Sequence, residues 1–154
     1  MDLSDLISPE GIIPLLKAEN KKQVLQELSA ASSSLTGVPE RDIFDTLMQR
    51  EHLGSTGVGQ GIAIPHGKLA GITQIVGLFA RLEKPIDFES ADSEPVDLVF
   101  LLLAPESAGA DHLKALARIS RFLRMPSALE ELRTAASGEA VYSILTEAEK
   151  ENAA

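Results

Sequence analysis

The chain offers few side chains for covalent chemistry, which narrows the search for a site. Its 154 residues contain no cysteine, so a thiolate nucleophile, a disulfide and a thiolate metal site are all excluded. Of the three histidines, His66 has the most constrained setting. It follows the apolar run Ile62-Ala63-Ile64 and stands between Pro65 and Gly67. Pro65 biases Ile64 toward extended backbone and fixes its own φ. Gly67 is expected to let the chain turn just after the histidine. An imidazole pinned this way could act as nucleophile, base or metal ligand. Upstream, four glycines lie between Gly54 and Gly61, a density that implies unusual turns or close backbone approach.

Other site candidates have plainer readings beside the chemical one. Arg50 sits at the end of an expected helix, where a cation complements the carbonyl dipoles. Ser55 and Thr56 are as well suited to forming a turn as to binding a ligand. His52, beside Glu51, reads as a surface residue. His112, beside Asp111, reads as a capping or solvated residue at a helix start. Familiar motifs fail. Gly57, Gly59 and Gly61 are spaced GxGxG, not GxGxxG. Gly67-Lys68 has Ile62 where a P-loop needs glycine and Leu69 where it needs serine or threonine. Ser55 is in no GxSxG elbow, and no histidine pair has zinc spacing.

These residues need a scaffold, and the chain has the composition for one. It is 44% hydrophobic and 24% charged, as expected of a single globular domain. We read residues 1–154 as one domain, with a core over about 3–148 and a polar C-terminal tail. A net charge of −9 argues against general nucleic-acid binding. The charge is uneven: Arg41 to Lys84 holds five basic and four acidic residues, and His112 to Leu129 holds four basic and none acidic. Both parts holding the candidate histidines are therefore suited to an anionic group. The start lacks the basic and apolar regions of a signal peptide, and the longest apolar run, Leu98 to Ala104, is too short to span a bilayer. A cytoplasmic protein without membrane insertion is expected.

In chain order, Leu3 to Ile7 reads as a short helical or irregular piece and Ile12-Ile13 as a brief strand. Asn20 and Gln23 form a capping pair for a helix ending at Gly37. Pro39 opens a second helix through Ile43, Phe44, Leu47 and Met48. Ile75 to Leu82 reads as a strand, Pro85 to Glu94 as an acidic loop, and Val96 to Ala104 as a fully buried central strand. A helix over Ala110 to Leu123 is expected to place Leu113, Leu116, Ala117, Ser120 and Leu123 on its apolar face, with Lys114, Arg118 and Arg121 on another. Ser127 and Glu130 suggest a capping box for a helix to Ala136, and a last helix covers about Glu139 to Glu149. The fold class is α/β, a single compact domain with a mixed β-sheet flanked by helices on both sides.

Arg50 to Lys68 resembles the active-site signature of the phosphotransferase-system IIA proteins of the mannitol/fructose class. It is most similar to their nitrogen-regulatory branch, through the arginine, Leu53-Gly54-Ser55-Thr56-Gly57 and Ile64-Pro65-His66-Gly67-Lys68. A second stretch, Pro95-Val96-Asp97-Leu98 through Ala104-Pro105 to His112-Leu113, resembles the family's central strand and second active-site histidine. The resemblance implies that His66 accepts a phosphoryl group, that His112 and Arg50 assist, and that Ser55 and Thr56 are candidates to bind its oxygens. It implies an HPr-like phosphohistidine donor, charged from phosphoenolpyruvate by an enzyme I, and cytoplasmic regulatory target proteins. No cofactor or metal is implied. The same-family alternative is a sugar-specific IIA component that passes phosphate to a IIB domain for fructose- or mannitol-type uptake. Alternatives outside this chemistry are a binding module that never turns over phosphate and a His66–His112 metal site.

Overall fold

Strand Val96–Pro105 (β6) is the axis of the molecule, and its sequence says why. Its run Val-Asp-Leu-Val-Phe-Leu-Leu-Leu-Ala-Pro has almost no polar interruption, so both of its faces need cover. In the computed structural model, which describes residues 2–153 and the side chains of residues 2–146, both faces are covered. Val99, Leu101 and Leu103 pack into one core. Leu98, Phe100 and Leu102 pack into a second core on the opposite face.

The elements around β6 follow the order α1 (Leu3–Leu6), β1 (Ile7–Leu16), α2 (Lys21–Thr36), α3 (Glu40–His52), β2 (Gly57–Gly59), β3 (Ile62–Ala63), β4 (His66–Leu69), β5 (Val76–Ile86), then β6, α4 (Ala110–Phe122), α5 (Pro126–Thr134) and α6 (Gly138–Ala153). The sheet runs β1-β5-β6-β3-β2, with β4 also paired to β6. It is mixed: β5 is antiparallel to β6, while β1 is parallel to β5 and both β3 and β4 are parallel to β6. The core on one face takes Val24, Leu25 and Leu28 from α2 and Ile43 and Leu47 from α3. The other takes Leu3 and Leu6 from α1, Ile119 and Phe122 from α4, Leu132 from α5 and Val141 from α6. A single compact α/β domain with helices on both faces of a mixed sheet is what the sequence led us to expect.

Several local expectations need correction. β1 spans ten residues rather than two, because an edge strand tolerates Pro9 and Pro14, which fall where its pairing with β5 is irregular. β5 continues through Pro85 to Ile86 after an irregularity in its pairing, so the acidic loop starts later than expected. Asn20 caps α2 by accepting from the Gln23 amide at 2.9 Å, but the return bond from Gln23 goes to the Glu19 amide. α5 has no Ser127 cap: its N-cap is Met125, and Pro126 occupies the first turn, where its missing N–H costs nothing. The polar tail expected past about residue 148 lies outside the residues whose side chains are described.

The buried face of α4 is only partly the expected one: Leu123 is buried and Leu116 packs against the core as expected, but the face is offset by about one residue. His112, Ala115, Ile119 and Phe122 are buried, whereas Leu113 is 69% exposed. The offset arises because the helix buries a polar residue type, His112, on its inner face. Arg118, expected on a solvated face, reaches Asp2 at 3.4 Å.

Gly67 does not turn the chain. It lies inside β4, paired with Leu103, and has no positive φ. Its role is steric, since a Cβ there would stand 2.7 Å from Thr46 Cγ2 on α3. Gly67→Ala should therefore destabilise the protein by about 1–3 kcal/mol by pushing β4 away from α3. Adding Thr46→Ala should recover most of that loss, as a thermal-unfolding double-mutant cycle would show. The turn before it does need glycine: Gln60 and Gly61, with φ of 58° and 80°, close the β2–β3 hairpin.

Candidate active site

His66 opens β4 beside Leu102 of β6, and the reason is local. Strands β3 and β4 run along the same edge of β6, separated by Ile64 and Pro65. Pro65 has no N–H to donate, but its carbonyl accepts from the Leu102 amide at 3.0 Å, so the chain stays against β6 while the ladder breaks. Side chains alternate across β4: Gly67 faces α3, and His66 faces the α4 side.

The His66 ring is held at both nitrogens. Nδ1 lies 2.8 Å from the Ile64 carbonyl oxygen, which can only accept, so Nδ1 carries the proton. Nε2 is then the free lone pair. It accepts from Arg50 Nε at 3.3 Å. Arg50, in the last turn of α3, also donates from a terminal guanidinium nitrogen to the Gly54 carbonyl at 2.9 Å. From the other side, the His112 ring stands edge-on to His66 with centroids 5.7 Å apart. His112 is 8% exposed, and its Nε2 has no hydrogen-bond partner among the described residues. The solvated cap expected for His112 is therefore not what forms. His52 is exposed, as expected.

Burial favours the neutral form of both rings. The His66 pKa lies below its ordinary value of 6.5, chiefly because burial penalises the charged ring. The bond to Ile64 opposes this, and Arg50 lowers the value further. His112 is lowered by burial first, then by His66 and Lys68. A histidine with a depressed folded pKa leaves the unfolded chain holding more protons between that value and 6.5. Its contribution to stability is thus complete above 6.5 and is lost as pH falls through 6.5 toward the folded value. NMR titration of His66 should give a midpoint below 6.5, and His66→Ala should soften the acid-side loss of stability in that window.

Ser55 and Thr56 are close to the site, but their hydroxyl protons are committed elsewhere. Ser55 Oγ donates to the Phe88 carbonyl at 2.6 Å and accepts from the Gly57 amide at 3.0 Å. Thr56 Oγ1 donates to Glu51, and its residue is 3% exposed. The turn-forming reading fits these hydroxyls better than direct contact with a bound group.

A sequence profile described as "Phosphoenolpyruvate-dependent sugar phosphotransferase system, EIIA 2" matches residues 5–148. The chain belongs to that family. It is 60% identical over 145 residues to the nitrogen regulatory protein of Bradyrhizobium diazoefficiens, covering 94% of this chain and 95% of that one. The crystal structure of nitrogen regulatory protein IIA-Ntr from Neisseria meningitidis matches with a TM-score of 0.89 at 37% identity, covering 94% of this chain and 99% of the other. The crystal structure of IIA mannitol from Escherichia coli matches with a TM-score of 0.75, covering 90% and 98%. At 21% identity, that likeness concerns the fold alone. The family found is the one expected from Arg50 to Lys68 and from Pro95 to Leu113.

Two residues of this EIIA domain lie against the site and went unremarked in the sequence. Glu51, with its side chain 4% exposed, pairs with Lys21 Nζ at 2.7 Å. Lys21 itself lies over the Phe88 ring, 4.9 Å from its centroid. The only sequence signal was a charged residue beside Arg50 in the motif, and a helix-end glutamate is usually solvated. Among the described residues no group of three or more histidines and carboxylates is arranged to hold a metal. No described helix is long and apolar enough to cross a membrane.

Proposed function

We propose that residues 1–154 form one IIA-type phosphocarrier domain in which His66 accepts a phosphoryl group from the phosphohistidine of an HPr-like protein, and that the phosphorylation state regulates binding to cytoplasmic target proteins. The observation that carries this is the His66 ring, with Nδ1 locked to Ile64, Nε2 facing Arg50 and the His112 ring edge-on beside it. Nε2 attacks phosphorus in line as the donor's N–P bond breaks, and the electron pair returns to the donor imidazole. The attacking ring becomes cationic, and the Ile64 carbonyl stabilises the charge developing at Nδ1–H. Arg50 leaves the Nε2 lone pair and turns its guanidinium to the equatorial oxygens, which suit a permanent, forked donor. His112 Nε2, buried and without a hydrogen-bond partner among the described residues, supplies a further donor to the same oxygens.

A phosphoryl group adds close to two negative charges, and the residues next in sequence to the site include the exposed apolar Leu53 (84%) and Leu113 (69%). Apolar contact with a target beside a charge that can be switched on gives phosphorylation a direct effect on binding. Support for a regulator over a sugar-specific IIA component comes from the nitrogen regulatory relative at 60% identity, whereas the mannitol structure at 21% speaks for fold alone. A metal site at the two histidines is disfavoured by Arg50, whose cation already faces Nε2.

The deciding experiment combines the chain with phosphoenolpyruvate, an enzyme I and an HPr-like carrier, and reads intact mass and acid lability. One acid-labile phosphoryl group is expected. An unmodified chain with several cognate carriers would overturn the proposal.

A further inference from the structure

A buried carboxylate that touches no reacting atom is wired to the His66 ring. Glu51 accepts from the Thr56 amide at 3.2 Å and from the Thr56 hydroxyl, and Lys21 balances its charge at 2.7 Å. The Thr56 carbonyl accepts from the Ile64 amide at 2.9 Å. The Ile64 carbonyl in turn accepts from His66 Nδ1–H at 2.8 Å. An unbroken path therefore runs from Lys21 through Glu51, Thr56 and Ile64 to the imidazole. Arg50, the residue before Glu51, grips the same segment at the Gly54 carbonyl and holds Nε2 of the same ring. The last turn of α3 thus clamps the glycine-rich segment at two points.

Neutralised and fully hydrogen-bonded, this carboxylate can stay buried, but an apolar side chain would fill the same space at less cost. What the apolar residue could not do is hold Thr56, and through it the one carbonyl that sets the His66 tautomer. Pairing with β6 holds the chain on either side of Ile64, whereas Thr56, which accepts from the Ile64 amide, lies among the four glycines between Gly54 and Gly61 and is fixed there by Glu51.

We propose that Glu51, acting through Thr56, is a positioning residue: it fixes the Ile64 carbonyl and thereby keeps the proton on His66 Nδ1 and the lone pair on Nε2 at the phosphoryl site. The inference rests on the phosphocarrier reading above. It also gives Thr56 a task at the site other than contact with phosphoryl oxygens.

The test uses the full chain with Glu51→Gln, Thr56→Val and Thr56→Ser. In Glu51→Gln the amide can accept on one side only and sets an N–H against Thr56 or Lys21. Three quantities are read: the saturating rate of phosphoryl transfer from the HPr-like donor, the half-saturating donor concentration, and the 15N shifts of the His66 ring before phosphorylation. Glu51→Gln and Thr56→Val should lower the saturating rate about 10- to 100-fold with little change in half-saturation, as expected for a misplaced nucleophile. Their His66 15N shifts should move from one tautomer toward a mixture. Thr56→Ser, which keeps both bonds to Glu51, should restore rate and shifts. A lower melting temperature with wild-type rate and wild-type tautomer in these variants would overturn the proposal and leave Glu51 a stabilising residue only. Should Glu51→Gln fail to fold, Thr56→Val decides, since it leaves the Lys21–Glu51 pair intact. If wild type accepts no phosphoryl group, the phosphocarrier reading fails, whereas the 15N shifts still decide whether Glu51 sets the ring.

Discussion

His66→Ala should accept no phosphoryl group from the carrier while retaining the fold. The other histidines cannot substitute. His52 lies at the exposed end of α3 and is not among the Arg50 guanidinium's partners, and His112 is only 8% exposed. The fold should survive because the half-buried ring sits on β4, whose outer side pairs with no other strand among the described residues. Its removal costs the bond to Ile64, a loss of about 1 kcal/mol. Intact mass after incubation with the complete donor system, paired with a melting curve, checks both halves. A phosphorylated His66→Ala would place the acceptor elsewhere. In contrast, His112→Ala should slow acceptance about 10²- to 10³-fold without ending it, because it removes one donor and leaves the nucleophile in place.

Arg50→Met should lower the rate of phosphoryl acceptance about 10³-fold, as removal of the one guanidinium positioned on the transferring group does elsewhere. Two causes would contribute, and pH separates them. Arg50 helps hold the His66 pKa down, so its loss raises that value and lets the ring protonate at a higher pH. This contribution vanishes at pH 8, where the ring is neutral either way. The remaining deficit at pH 8 measures the lost stabilisation of phosphoryl oxygens. Arg50→Lys should fall between the two, keeping the charge but losing the fork that reaches Gly54 and His66 together. An Arg50→Met rate that recovers fully at pH 8 would reduce the arginine to a modulator of His66 protonation.

The residues that could be read in sequence were those whose cause is local. Asn20 and Gly37 bound α2 because a cap and a left-handed φ of 78° act within one turn. Val96 to Ala104 announced a doubly covered strand because its composition fits no half-exposed site. His66 was conspicuous through its immediate neighbours, and Pro65 does interrupt the ladder just before it. The family, too, was legible from two contiguous stretches.

Tertiary structure decided what depends on residues distant in the chain. His112 looked like a helix-end residue until α4 turned it inward against His66, which also shifted the buried face away from Leu113. Gly67 carried the right residue type for a turn but meets Thr46 across the α3–β4 contact, and only packing reveals that. Glu51 could not be told from a solvated helix-end acid without Lys21, which lies thirty residues earlier. Periodicity and turn chemistry act over a few residues, so they place the elements and the reactive ring. Burial and charge pairing act across the fold, so they decide which distant side chains surround that ring.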